Sequence, residues 1–130
     1  MPEPRKWTLM IVNDEEGLIE ALKRTLQREP YDVLAARDGH EALEALAEHG
    51  RVDAVLADDR MPRMGGTDLL ERVQDAYPDT TRVLFTAVEG TASIVGACRS
   101  GLVHQLFTYP WDETELRTEL RRLVRRIHIH

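Results

Sequence analysis

Cysteine is almost missing from this chain, and that removes several classes of protein at once. Cys98 stands alone, so no internal disulfide can form, and there is no Cys/His ligand spacing from which to build a structural zinc site. With no activating partner beside it, the lone thiol reads as a buried apolar cysteine rather than a reactive one. Basic charge is also short: 17 Lys and Arg stand against 23 Asp and Glu, a formal net charge of -6. Such a balance gives no general electrostatic reason to bind nucleic acid or an anionic membrane. No basic N-terminal segment precedes a long apolar run, and no stretch approaches the roughly 20 apolar residues of a membrane span. The expected location is the cytoplasm. The chain also lacks a Gly-rich loop closing on Lys-Ser/Thr and lacks GxGxxG, which sets aside P-loop and dinucleotide-binding chemistry.

What the chain does contain is a series of short apolar packets, each followed by helical spacing. WTLMIV (7–12), YDVLAA (31–36), DAVLA (53–57), TRVLFT (81–86) and QLFT (105–108) read as strands. Their nearly continuous apolar character suits parallel strands covered on both faces. The first helix is expected from about Gly17 to Gln27, with Leu18, Leu22 and Leu26 as its buried stripe. A second spans about 39–49, capped by Asp38 and stopped by Gly50. A third begins at Thr67 and ends before Pro78, and a fourth runs near 92–100 through the helix-weakening Gly96. The fifth starts near Trp111 and buries Leu116, Leu120, Leu123, Val124 and Ile127. Alternation of this kind in 130 residues predicts one open α/β domain over 1–130, with a core from about 7 to 126, right-handed crossovers and helices on both faces. The IHIH ending reads either as a helix tail or as the start of a linker, and its two histidines are a weak metal signal.

In such a sheet the loops after the carboxyl ends of the strands gather into one crevice. NDEE (13–16) follows the first strand, DDRMP (58–62) the third, Thr86 ends the fourth and Tyr109 the fifth. Asp14 and Asp58 are placed to offer oxygen ligands to one divalent cation, and a carboxylate can attack phosphorus once the incoming dianion is neutralised and held in line. Asp58 is the expected nucleophile and Asp14 a metal ligand, with Glu15 assisting directly or through water. Asp59 should point away from its neighbour's face. Met61, Pro62, Met64, Gly65 and Gly66 shape the loop into the third helix, Pro by restriction and Gly by allowing close turns. On these residues alone the crevice has two readings, a phosphoryl-accepting site or an incidental charge cluster.

Taken together, these residues make the stretch from about Trp7 to Arg126 resemble the receiver domain of bacterial two-component response regulators. That family has an acidic pair after strand one, an acceptor aspartate before a Met-Pro loop, a hydroxyl residue ending strand four and a Lys-Pro corner ending strand five. The positions here are Asn13 and Asp14, Asp58 with Met61 and Pro62, Thr86, and Tyr109 with Pro110. The resemblance implies a flavodoxin-like (βα)5 three-layer sandwich with sheet order 2-1-3-4-5. It implies Mg2+-dependent phosphoryl transfer, with Mn2+ as a substitute ion, from a histidine kinase or phosphotransfer protein onto Asp58. Asp14, Asp58 and the Arg60 backbone carbonyl would be metal ligands, with Asn13 or Glu15 contributing through water. Thr86 would bond a phosphoryl oxygen and move the output face. The implied partners are an output domain or protein and a second copy docked through helix four, strand five and helix five, with neither nucleic acid nor membrane contacted directly. The implied chain is no enzyme in its own right beyond self-phosphorylation and autodephosphorylation.

Three positions depart from the family pattern. Asn13 carries no charge where an acid is usual. Tyr109 stands in the lysine position and can donate a hydrogen bond but no ammonium charge; its expected role is a plug or neutral donor. Leu106 occupies the place of an aromatic switch residue, while Phe107 should face the core on the other side of the strand. These departures keep a second reading open, a degenerate receiver working as a phosphorylation-independent interaction module. A third reading, a hydrolase passing through an aspartyl phosphate on Asp58, lacks a general acid or substrate cap. Trp111 reads as a packing residue at the start of helix five. Arg117, Arg121, Arg122, Arg125 and Arg126 read as a solvated face screened by Glu113 and Glu119.

Overall fold

Each apolar packet becomes a strand in the computed structural model, which describes residues 6–128, the side chains of 89, 91, 93 and 126–128 lying outside that description. The elements in chain order are β1 (Trp7–Val12), α1 (Glu16–Leu26), β2 (Tyr31–Ala36), α2 (Gly39–His49), β3 (Ala54–Asp58), α3 (Gly66–Ala76), β4 (Thr81–Ala87), α4 (Thr91–Arg99), β5 (Gln105–Tyr109) and α5 (Glu113–His128). A single 3-10 turn, Val88–Gly90, leads into α4. All strand pairs are parallel and the order is β2-β1-β3-β4-β5, the arrangement expected of a flavodoxin-like (βα)5 sandwich. The expected burial of Ile127 and the terminal histidines fall outside the described residues.

Period-two alternation along the strands sorts the core into two layers. Leu9, Ile11, Leu56, Val83, Phe85 and Phe107 face α1 and α5, where Ile19, Leu22, Leu116 and Leu120 meet them. Met10, Val12, Val55, Ala57 and Leu84 face α2, α3 and α4 through Leu46, Leu69, Leu70, Val73 and Ile94. Each fully buried leucine or isoleucine contributes about 1.5–3 kcal/mol by removal from water. Burial of Ile94, with Ala97 and Cys98 packed against its layer, offsets the weak helical preference of α4. Leu106 packs on this layer and Phe107 on the opposite one, as the alternation predicts. No helix among the described residues is long and apolar enough to cross a membrane.

Several local expectations need correction. Ile19, not Leu18, joins Leu22 and Leu26 in the buried stripe of α1; the helix begins at Glu16, one residue earlier than its spacing suggested, and Leu18, on the neighbouring face, lines the cavities at the end of the sheet. Helix α5 begins at Glu113 because the Asp112 side chain accepts the Glu115 N–H at 2.8 Å, an N-terminal cap that fixes the first turn. The Asp38 cap on α2 is present, accepting from Glu41 N–H at 2.8 Å, and Gly50 closes the helix at φ 84°. In the loop before α3 the left-handed residue is Arg63, φ 69°. Gly66 is needed there for a different reason: a Cβ would lie 2.3 Å from the Asp58 carbonyl oxygen and 2.7 Å from Leu84 Cδ1.

The amino end of the sheet is closed by a buried cation. Arg82, 4% exposed, donates from Nε to the Leu102 carbonyl at 2.7 Å and from its terminal nitrogens to the carbonyls of Pro78, Thr80 and Gly101. Beside it, His104 Nδ1 accepts the Arg82 backbone N–H at 2.9 Å. That bond requires an unprotonated Nδ1, and both burial and the neighbouring guanidinium hold the His104 pKa below its ordinary value. A histidine with a depressed folded pKa binds more protons unfolded than folded. Stability is therefore expected to be full above about pH 6.5 and to decline as the pH falls from there toward the folded value. Urea midpoints between pH 7.5 and 5 should show this slope, and His104→Asn, which keeps an acceptor without titrating, should flatten it.

Candidate functional site

The carboxyl ends of the strands bring the candidate residues to one small cavity of about 240 Å³, lined by Asp14, Glu15, Leu18, Asp58, Asp59, Arg60, Thr86, Ala87 and Tyr109. Asp58 is the last residue of β3 and pairs in register with Phe85 of β4. Tyr109 is the last residue of β5, two strands away, and pairs with Ala87. Asp58 and Tyr109 fall on the same sheet face as Phe85. The phenol ring stacks on the Phe85 ring with centroids 5.6 Å apart, which carries its hydroxyl over β4 to Asp58. Trp111 stands edge-on to both rings and donates from its indole nitrogen to Thr25 Oγ1 at 3.2 Å, anchoring the corner to α1. The Tyr109-Pro110 peptide is cis.

Asp58 is held by both oxygens. Tyr109 Oη donates to Oδ1 at 2.7 Å, and the Arg60 backbone N–H donates to Oδ2 at 3.2 Å. Burial pushes the Asp58 pKa up, the two hydrogen bonds oppose that push, and the neighbouring Asp59 and Asp14 carboxylates add to it. The same contact raises the Tyr109 pKa, first by burial and then through Asp58, so the phenol stays protonated and a donor. Behind the phenol lies Asn13, 2% exposed. Its Oδ1 accepts the Glu15 N–H at 2.9 Å, which orients Nδ2 to donate to Tyr109 Oη at 3.2 Å. Asn13, Tyr109 and Asp58 thus form one chain of donors ending on the carboxylate.

Asp59 turns to the opposite face from Asp58, as alternation predicts. There it meets Thr86, which is 1% exposed and whose hydroxyl donates to Asp59 Oδ2 at 2.5 Å. This pairing was not anticipated from the sequence. Its signal was available, since Thr86 shares the face of Leu84 and Asp59 that of Ala57. Asp14 and Glu15 are exposed at the cavity rim, and Arg60 is exposed beside them.

The family model for the response regulator receiver domain matches residues 9–121. Among curated proteins, the chain is 34% identical over 109 residues to the hydrogenase transcriptional regulatory protein HoxA of Bradyrhizobium diazoefficiens, covering 84% of this chain and 22% of that protein. It is 31% identical over 118 residues to the response regulator MprA of Mycolicibacterium vanbaalenii, covering 91% of this chain and 50% of that one. The chain therefore spans between about a fifth and a half of these relatives. Among solved structures, the signal receiver domain of an HD domain-containing protein from Pseudomonas fluorescens superposes with a TM-score of 0.88 at 32% identity, over 98% of this chain and 93% of that one.

Proposed function

Because the chain belongs to the response regulator receiver family, we propose that it accepts a phosphoryl group on Asp58 and transmits that change to a protein partner. The observation that carries this reading is the Asp58 carboxylate itself, fixed at the end of β3 by Tyr109 and the Arg60 N–H and opening on the cavity shared with Asp14. In the transfer, one Asp58 oxygen bonds to phosphorus as the donor's P–N bond breaks, and the departing imidazole keeps that electron pair and gains a proton. Asp58 enters as the anion, and burial makes it more basic than an exposed aspartate. Thr86 and Tyr109 are the side-chain hydroxyls able to turn toward phosphoryl oxygens.

The donors present fit Mg2+, and Mn2+ equally. The carboxylates of Asp14 and Asp58 and the Arg60 carbonyl are hard oxygen ligands of the kind Mg2+ takes, with water completing the set. Among the described residues no three His, Cys, Asp or Glu side chains converge as a cation site, and the proposed set therefore draws on the backbone carbonyl and water beside the two carboxylates. Asn13 spends its oxygen on the Glu15 N–H, so Glu15 is the better candidate for a water-mediated contact. A cation held there would neutralise phosphoryl charge. The proposed donor is a histidine kinase or phosphotransfer protein, and the proposed recipient is an output unit or second copy docked on α4, β5 and α5. Three arginines of α5 are drawn off to acids, Arg117 to Glu113 at 3.8 Å, Arg121 to Glu29 and Arg122 to Glu119, which supports a protein rather than a nucleic-acid partner.

The phenol bonded to Asp58 supports a second reading, a receiver that engages its partner without phosphorylation. Intact-protein mass after incubation with acetyl phosphate, with and without Mg2+ and beside Asp58→Asn, separates the two. A single phosphoryl addition that needs Mg2+ and vanishes in D58N is expected. Absence of any addition, from acetyl phosphate and from a phosphorylated kinase alike, would leave the interaction module as the function.

A further inference from the structure

The cavity beside Asp58 contains two side-chain hydroxyls, and both are already committed to carboxylates. Tyr109 donates to Asp58, and Thr86 donates to Asp59 at 2.5 Å. A hydroxyl has a single proton to give, so Thr86 cannot serve Asp59 and a phosphoryl oxygen together. The Asp59–Thr86 pair is also enclosed: a Cβ at Gly90 would lie 2.5 Å from Thr86 Oγ1 and 3.4 Å from Asp59 Oδ2, so the backbone leading into α4 closes directly over it. Asp59 is tied in its own right, its N–H donating to the Phe85 carbonyl at 2.8 Å and its carbonyl accepting the Gly66 N–H at 3.0 Å. The carboxylate is therefore held against Thr86 by the backbone on either side of it.

We propose that Asp59 is a positioning residue that competes with the phosphoryl group on Asp58 for the hydroxyl proton of Thr86. Loading of Asp58 must break the Asp59–Thr86 bond, and the exchange frees the segment from Thr86 to Gly90 that begins α4. The proposal rests on Asp58 as acceptor and adds what opposes its loading. Asp59 acts in two separable ways. Its charge repels an incoming dianion, and its oxygen withholds the Thr86 proton.

Beryllofluoride, a phosphoryl mimic, titrated with Mg2+ into wild type, Asp59→Asn and Asp59→Ala distinguishes these. D59N removes the charge and keeps an acceptor for Thr86, and should bind about threefold more tightly. D59A removes both and should bind about tenfold more tightly, since a hydrogen bond to a charged group no longer has to be broken. Amide hydrogen exchange over residues 87–90 of the unloaded proteins gives a second readout. D59A and Thr86→Val should each speed it, and the double variant should add nothing further, because both remove one shared bond. D59A binding no better than D59N, or additive exchange effects, overturns the proposal while leaving Asp58 as acceptor. Failure of every protein, wild type included, to take the mimic overturns the acceptor reading and this inference with it.

Discussion

Exchanging Tyr109 for lysine is expected to raise the rate of phosphoryl loading on Asp58 by about tenfold to a hundredfold, because a charge-assisted donor replaces a neutral one beside a developing dianion. The phenol is hydrogen-bonded to Oδ1 of Asp58 and backed by Asn13, and on the reading proposed above it must be displaced before that oxygen can react. An ammonium in its place would also offset the carboxylates of Asp14 and Asp59, which line the same cavity. The gain comes with a loss of stacking on Phe85, so Y109K should be less stable by about 1 kcal/mol. Tyr109→Phe keeps the ring and removes the hydroxyl; it should load about threefold faster than wild type by uncovering Oδ1. Initial rates of phosphoryl mass addition at fixed Mg2+ measure both. A fall in Y109F would mean that the phenol assists transfer instead of obstructing it.

The second large effect lies at the other end of the sheet and concerns stability alone. Arg82→Met should cost about 2–4 kcal/mol, read as a lower urea midpoint at unchanged slope. The side chain would still fill its space, but the carbonyls of Pro78, Thr80, Gly101 and Leu102 would face an alkyl chain. Relief from desolvating the guanidinium, which already lowers its pKa, offsets part of that loss. The offset is partial because four acceptors from two separate loops lose their donor together. Loading of Asp58, measured below the transition, should not change in R82M.

How much of this could be read in advance varies with the range of the interaction involved. The strands were legible because burial on both faces demands unbroken apolar packets, and the position of Asp58 because it ends one of them. The α4 helix was the weakest expectation, since its glycines argue against it and the packing of Ile94, Ala97 and Cys98 that stabilises it is a tertiary effect. Leu18 and Ile19 are both apolar and both stand at helical spacing from Leu22, so spacing alone does not say which of them joins the buried stripe. Tyr109 was placed at the right corner, yet its contact with Asp58 depends on the Phe85 ring spanning an intervening strand, which no local pattern announces. Arg82 was hidden inside a segment taken as apolar, and its partners are backbone carbonyls, which leave no mark in a sequence. The Asp59–Thr86 bond required alternation to be followed through two strands at once.

The register of the sheet ends where its chemistry begins: Asp58 opposite Phe85 and Tyr109 opposite Ala87 are the final rungs of their ladders. Side chains at those rungs stand at the margin of the packed layers, where Tyr109 lies on Phe85 and reaches past it to Asp58. Exchanges at this edge are therefore expected to bear on reactivity more than on the melt, whereas an exchange at Arg82 bears on the melt alone.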